Sequence, residues 1–290
     1  MEKMPQNLSF TRLSGLHNPF LLNGMKQALK RIVEAVNYRE KIVVYGYGDL
    51  DGITAVSLLL LVLKYLNADV EYYIADFGDE TRSLKEENIK NNIMFLGASL
   101  VVTVSCEIES DEQLKLCQEM GIDIIVTDYH TCDPMLEKEI VINPTQKNCI
   151  YPFKKLSGVG VAYKFAEAIS SYYEMNSVKK YLDLVMLGTL SKNKPIVNEN
   201  KAIVNMGIRQ LACTNNYGLK ALMKSYNIKK IDRENINELI ENIRLTITTS
   251  RKVDNARIIV EILTTANKDR AEQIAKYLKN EIKVCKIYAC

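Results

Sequence analysis

With 290 residues the chain can bury one substantial core or two modest ones, and its 47% apolar and 25% charged content excludes a disordered or fibrous class. Its 38 basic and 35 acidic residues leave an excess too small to imply nucleic acid by charge alone. Seven cysteines, at 106, 117, 132, 149, 213, 285 and 290, form no CxxC pair and are odd in number, which fits reduced thiols better than a zinc ribbon or a closed disulfide framework. There is neither a signal-peptide pattern nor an apolar run of about 18 residues, so a cytoplasmic protein without a membrane partner is expected.

Residues 1–20, with Pro5, Gly15 and Pro19, read as an irregular arm laid over the surface. Helical spacing of Met25, Leu29, Ile32, Val33 and Val36 predicts a helix over Asn23 to Val36. Lys41 to Tyr45 is the first strand, followed by a Gly-rich turn and a mostly apolar helix to about Tyr65. Val70 to Ile74 and Leu100 to Val104 are predicted strands, with an amphipathic helix over Lys85 to Leu96 between them. A helix at Asp111 to Met120 ends at Gly121, and strands follow at Ile122 to Val126 and Ile140 to Ile142. This alternation predicts a parallel sheet flanked by helices.

Beyond a long loop, helices are predicted at 157–169 and from Val178 to Thr189. After Pro195 the texture is polar and mostly helical, with an isolated strand candidate at Ile258 to Leu263 and a long helix over Ala266 to Cys290. The division expected is 1–36 as arm and first helix, 37–195 as the α/β domain, and 196–290 as a helical extension ending in a connector helix.

Asp49 and Asp51, after the first strand, suit either a divalent cation bridging to phosphate or a polar turn with an Asp at a helix N-cap. Asp128 and His130 follow another strand and reach the same sheet edge. Gly158 and Gly160 open a helix, where backbone N–H groups hold a phosphate oxygen or small residues permit close packing.

The order of motifs is specific. LHNPF (16–20), YGYGDLDGIT (45–54), VVTVSCEI (101–108), VTDYH (126–130), INPTQKNCIYPFKKLSGVGVAYK (142–164), LVMLGTL (184–190) and ENK (199–201) resemble the DHH phosphoesterases, within them the RecJ-like single-strand-specific exonucleases. That resemblance implies a DHH-type α/β core with two manganese ions held by aspartates and a histidine, activating hydroxide against a phosphodiester. It also implies a second DHH-associated domain and an OB-fold; the chain stops after the long helix, and both are expected to be absent.

The departures from the family pattern fall on the implied metal ligands. Tyr47 stands for the first Asp of GDYDADG, Ser105 for the Asp of VDxG, Tyr129 for the first histidine of Asp-His-His, and Lys192 for the Asp of GTxAD. Where the resemblance implies that substrate binds, Thr81-Arg82-Ser83 replaces a Gly-Tyr-Gly segment, and Thr248-Thr249-Ser250-Arg251-Lys252 an Asn-Ala-Ala-Gly-Arg run. Asp49, Asp51 and Asp128 remain as metal-side residues, and His130, Gly158 and Gly160 as phosphate-side residues. The replacements remove about three negative charges and add one positive, so the metal pair would lack compensating charge. No cofactor is therefore expected, with Mn or Mg only if the site is residually functional. Lys192 is expected to pair with Asp49 or Asp51. The reading is a pseudo-enzyme of nucleic-acid metabolism that contacts single-stranded nucleic acid, a nucleotide, or a protein of replication or repair; the alternatives are a feeble metal-dependent phosphoesterase and a metal-free nucleotide sensor.

Overall fold

The computed structural model describes residues 15–75, 82–131, 139–249 and 255–288. Five strands, β1 (Ile42–Tyr47), β2 (Val70–Ala75), β3 (Leu100–Val104), β4 (Asp123–Thr127) and β5 (Ile140–Ile142), form an all-parallel sheet in the order β2-β1-β3-β4-β5. Helices cover both faces, which is why β1 and β3 are mostly apolar runs with every residue buried. Val43 and Tyr45 join the core on one face, Ile42 and Val44 that on the other. The chain leaves β1 towards β2 and later returns on the opposite side with β3. This reversal opens a crevice at the carboxyl ends of β1 and β3, where parallel sheets place ligands.

On the thicker face lie α1 (Met25–Asn37) and α2 (Leu50–Tyr65). Thirteen of the 16 residues of α2 are buried, which suits a helix apolar all round and enclosed by other layers. The thinner face carries α3 (Glu86–Asn88), a following π turn over Ile89–Ile93, and α4 (Asp111–Glu119). The single helix predicted over Lys85 to Leu96 is thus a short helix with a widened turn, closed by Met94 N–H to the Ile89 carbonyl at 3.0 Å. Ile89 and Ile93 stay in the core there, while Asn88 and Asn92 bond the Tyr73 hydroxyl.

The remaining helices are α5 (Gly158–Tyr172), α6 (Leu182–Ser191), α7 (Asn198–Ala212), α8 (Tyr217–Ser225), α9 (Arg233–Thr249), α10 (Asn255–Thr264) and α11 (Lys268–Tyr288). The strand expected at Ile258 to Leu263 is a helix: Ala256, Ile259, Val260 and Leu263 are buried at helical spacing, and α10 packs on α2. Its β-branched residues suggest a strand locally, and this one-faced burial overrides them. The segment predicted helical from Val178 begins as a 3-10 turn, Val178–Tyr181.

The described end of the N-terminal arm does not lie over the surface. Leu16, Pro19 and Leu22 are buried, and the backbone of His17 is held by a buried ionic cluster. Lys164 Nζ donates to the His17 carbonyl (2.9 Å) and pairs with Glu167 (2.7 Å) and Glu199 (2.8 Å), while Glu199 also accepts the His17 N–H. The lysine tolerates complete burial because its charge is paired and hydrogen-bonded. Among the described residues no helix is long and apolar enough to cross a membrane.

Candidate functional site

Asp49 ends the turn out of β1 in an extended conformation and caps α2: the Gly52 N–H donates to its Oδ1 over 2.9 Å. Only glycine fits at 52, since a Cβ there would stand 2.2 Å from the Tyr47 carbonyl oxygen. The other oxygen, Oδ2, accepts from Lys192 Nζ at 2.7 Å and lies 2.9 Å from Arg82 Nη1. The Lys192–Asp49 pair expected from sequence is present, and Arg82 joins it.

Asp51, at the start of α2, is fully buried. Ser105 Oγ (3.0 Å) and the Gly158 N–H (2.9 Å) donate to Oδ2, and the Val159 N–H (2.9 Å) donates to Oδ1. A carboxylate of α2 therefore occupies the electropositive start of α5, satisfying amides that a helix leaves unpaired. The Gly158 amide, assigned from sequence to phosphate, is directed to Asp51, and the Gly160 N–H donates to Ser157 Oγ at 3.2 Å. Ser105 reaches Asp51 from a left-handed backbone conformation, φ +52°.

The aromatic replacements hold cations. The Arg82 guanidinium lies 4.8 Å from the Tyr47 ring centroid, and Lys194 and Lys192 Nζ lie 4.0 and 5.6 Å from that of Tyr129. Asp128 and His130 form a neighbouring group. His130 Nδ1 lies 2.8 Å from Asp128 Oδ1 and 3.2 Å from Glu107 Oε1, and its backbone N–H donates to Asp128 Oδ2 at 3.2 Å. Asn143 and Thr145 donate to the His130 carbonyl, so this loop is fixed by its neighbours.

Electrostatically the centre is a row of carboxylates balanced by fixed cations. Burial, and then the Asp49 charge, push the Asp51 carboxyl up to about 6 against the opposing pull of Lys192 and the two helix amides. Burial pulls the Lys192 ammonium down, but Asp49 and Asp51 outweigh it, and the lysine is held above its ordinary value. Lys194 moves the other way, lowered by burial and by Lys192 although Asp51 opposes this.

The donor set does not fit the manganese pair that the sequence resemblance implies. All six oxygens of Asp49, Asp51 and Asp128 already accept from a protein donor or pair with a protein cation, and the Lys192 ammonium lies directly against Asp49. Among the described residues no group of three or more His, Cys, Asp and Glu side chains could hold a metal ion.

Beside Asp49 a cavity of about 150 Å³ is bordered by Arg82, Ser191, Lys192, Arg244 and Thr248. Sequence reasoning placed Arg82 only within a substrate-side replacement, not beside Asp49, and did not assign Glu107, Lys194 or Arg244 to the site. A basic residue in place of Gly-Tyr-Gly was the one available signal for Arg82; α9 brings Arg244 there through tertiary packing alone. Thr81 and Ser250-Arg251-Lys252, read as substrate-side replacements, lie outside the described residues, as does the arm before residue 15.

A family model described as the DHH family, N-terminal domain, matches residues 41–189. The single-stranded-DNA-specific exonuclease RecJ of Bacillus subtilis (strain 168) is 34% identical over 268 residues, covering 91% of this chain and 33% of that protein. Two solved structures share the fold. Exonuclease RecJ bound to manganese superposes with a TM-score of 0.81 at 24% identity, over 94% of this chain and 68% of that one. RecJ in complex with Mn2+ from Thermus thermophilus gives 0.78 at 24% identity, over 94% and 39%. The chain spans less than half the length of the curated relatives it matches, 33% and 48% for the first two. Motif order, sheet topology and the match across both carboxylate turns agree: the chain belongs to the DHH family.

Proposed function

We propose that this chain is a RecJ-like DHH protein that binds its ligand without metal-dependent cleavage, a pseudo-enzyme of nucleic-acid metabolism. One observation carries the reading: Lys192 Nζ sits 2.7 Å from Asp49 Oδ2, at a position where the family motif has a carboxylate. A fixed monovalent cation supplies charge compensation there, but it carries no exchangeable water and generates no hydroxide nucleophile. Asp51 supports the same reading, since its oxygens hold Ser105 and the start of α5. The retained carboxylates thus act as anchors of the fold.

The ligand class proposed is single-stranded nucleic acid or a nucleotide, with a protein of replication or repair as the partner that such a binding subunit would serve. The decisive assay follows release of nucleotides from 5′-labelled single-stranded DNA with Mn or Mg, beside metal analysis of the purified protein. No release and no bound metal are expected. Manganese-dependent release abolished by Asp49→Ala would replace this reading with a residual phosphodiesterase using one metal on Asp49, Asp51 and Asp128.

A further inference from the structure

The cavity beside Asp49 has an unusual wall. Three cationic side chains, Arg82, Lys192 and Arg244, border it together with the single carboxylate of Asp49 and the hydroxyls of Ser191 and Thr248. Asp49 takes one contact from Lys192 and one from Arg82. An ammonium has three donors and a guanidinium five, so both cations retain donors beyond that carboxylate. Arg244, half exposed at the mouth, pairs along its own helix with Glu241 at 2.9 Å and likewise has donors to spare.

Cations approaching from the β2–β3 connection, the end of α6 and the middle of α9 surround a volume rather than a plane. This suits a compact oxyanion with several acceptor oxygens. At about 150 Å³ the space is enough for a phosphoryl group. A terminal phosphate is favoured over an internal diester because its charge is about −1.5 to −2 at neutral pH.

We infer that this cavity is a metal-independent phosphate site, in which Arg82, Lys192 and Arg244 hold the terminal phosphoryl group of a nucleotide or a strand end. The inference deepens the proposed function and rests on it in one respect: the phosphate is held, not transferred. Asp49 orients Lys192 but repels the ligand, so the site has an unusual signature. Removing the Asp49 charge strengthens anion binding here, whereas it would abolish binding that ran through a metal.

The test is titration calorimetry on the full chain in excess EDTA, with inorganic phosphate, a nucleoside 5′-monophosphate, and one oligonucleotide carrying either a 5′-phosphate or a 5′-hydroxyl. Phosphate is expected to bind, Arg244→Ala to weaken it about tenfold through loss of a charged hydrogen-bond donor, and Asp49→Asn to tighten it. The two phosphorylated ligands then tell nucleotide from strand end. Arg244 is an exposed side chain, so its variant keeps the fold, which a melting curve verifies. Absence of binding at tens of millimolar phosphate, binding only with manganese, or equal affinity in Arg244→Ala overturns the site. Absent binding together with absent nuclease activity removes this inference alone. Manganese-dependent cleavage with phosphate still bound in EDTA removes only the non-cleaving reading.

Discussion

Lys192 Nζ donates to Asp49 Oδ2 across 2.7 Å, joining the end of α6 to the N-cap of α2, with both side chains about one-eighth exposed at 12%. The pair links residues 143 positions apart, and its loss would leave Asp49 and Asp51 facing each other with Arg82 as the remaining cation on Asp49. Lys192→Met should destabilise the fold by about 2–3 kcal/mol, below the full cost of stranding a deeply buried charge because water still reaches the pair. Asp49→Asn keeps a capping oxygen for Gly52, so a double-mutant cycle in urea isolates the ionic contact. A coupling energy above roughly 1 kcal/mol is expected; additivity of the two variants would show that the pair contributes nothing.

Asp183 gives a pH signature away from the site. Its Oδ2 accepts from Thr214 Oγ1 at 2.6 Å and its Oδ1 from the Leu184 N–H at 2.8 Å, yet burial outweighs both hydrogen bonds and pushes its pKa up to about 6. The folded state holds the proton more tightly than the unfolded chain, so the contribution of Asp183 to stability falls as pH rises from about 4 to about 6 and is level above that. The loss amounts to something on the order of 3 kcal/mol from this residue alone. Asp183→Asn keeps an acceptor for the Leu184 N–H and offers its amide to the Thr214 hydroxyl, and it should remove that part of the slope in denaturation curves between about pH 4 and 7. An unchanged slope in the variant would assign the pH response elsewhere.

The strands and the ionic pair were legible because each is written in a short run or a single replacement. Val101-Val102-Thr103-Val104 can hardly be anything but a buried strand, and a lysine where a motif has Asp points to the remaining carboxylates. Ile258-Ile259-Val260 misled because its strand-like composition conflicts with a helical burial pattern visible only once α2 is in place. The site's outer residues were hidden for a related reason. Arg82 reaches Asp49 because Ser83 bridges to Glu107 beside β3, and Arg244 arrives on a helix almost 200 positions after Asp49, contacts with no trace in local spacing.

Gly158 is a sharp probe of how tightly the carboxylate, the β3 turn and α5 are fitted. A Cβ there would lie 2.5 Å from both Cβ and Oγ of Ser105 and 2.8 Å from Asp51 Oδ2. Gly158→Ala should therefore push α5 away and break its amide bonds to Asp51, costing about 1–3 kcal/mol by overpacking. Adding Ser105→Gly removes the clashing hydroxymethyl group and suits the left-handed backbone at 105, so part of the loss should return. Thermal melts of the two single variants and the double variant settle it: a double variant no more stable than Gly158→Ala would place the strain elsewhere.

If the replacements at 105 and 192 are what exclude metal, restoring carboxylates there should bring it back, and only in combination. Ser105→Asp alone adds a carboxylate beside Asp51, whose carboxyl is already pushed up to about 6, while leaving the Lys192 ammonium in place; it should destabilise without binding manganese. Lys192→Asp alone leaves carboxylates in mutual repulsion but still short of a ligand on the β3 side. Together the changes place carboxylates at 49, 51, 105 and 192 around the crevice, a charge that hard divalent cations compensate and monovalent ones do not. The expected result is a double variant with a low melting temperature in EDTA that rises by several degrees with millimolar manganese, as ligation to the folded state alone requires. The parent chain should show no such rise. A manganese-dependent rise in the parent, equal to that of the double variant, would mean that Lys192 and Ser105 never barred the metal.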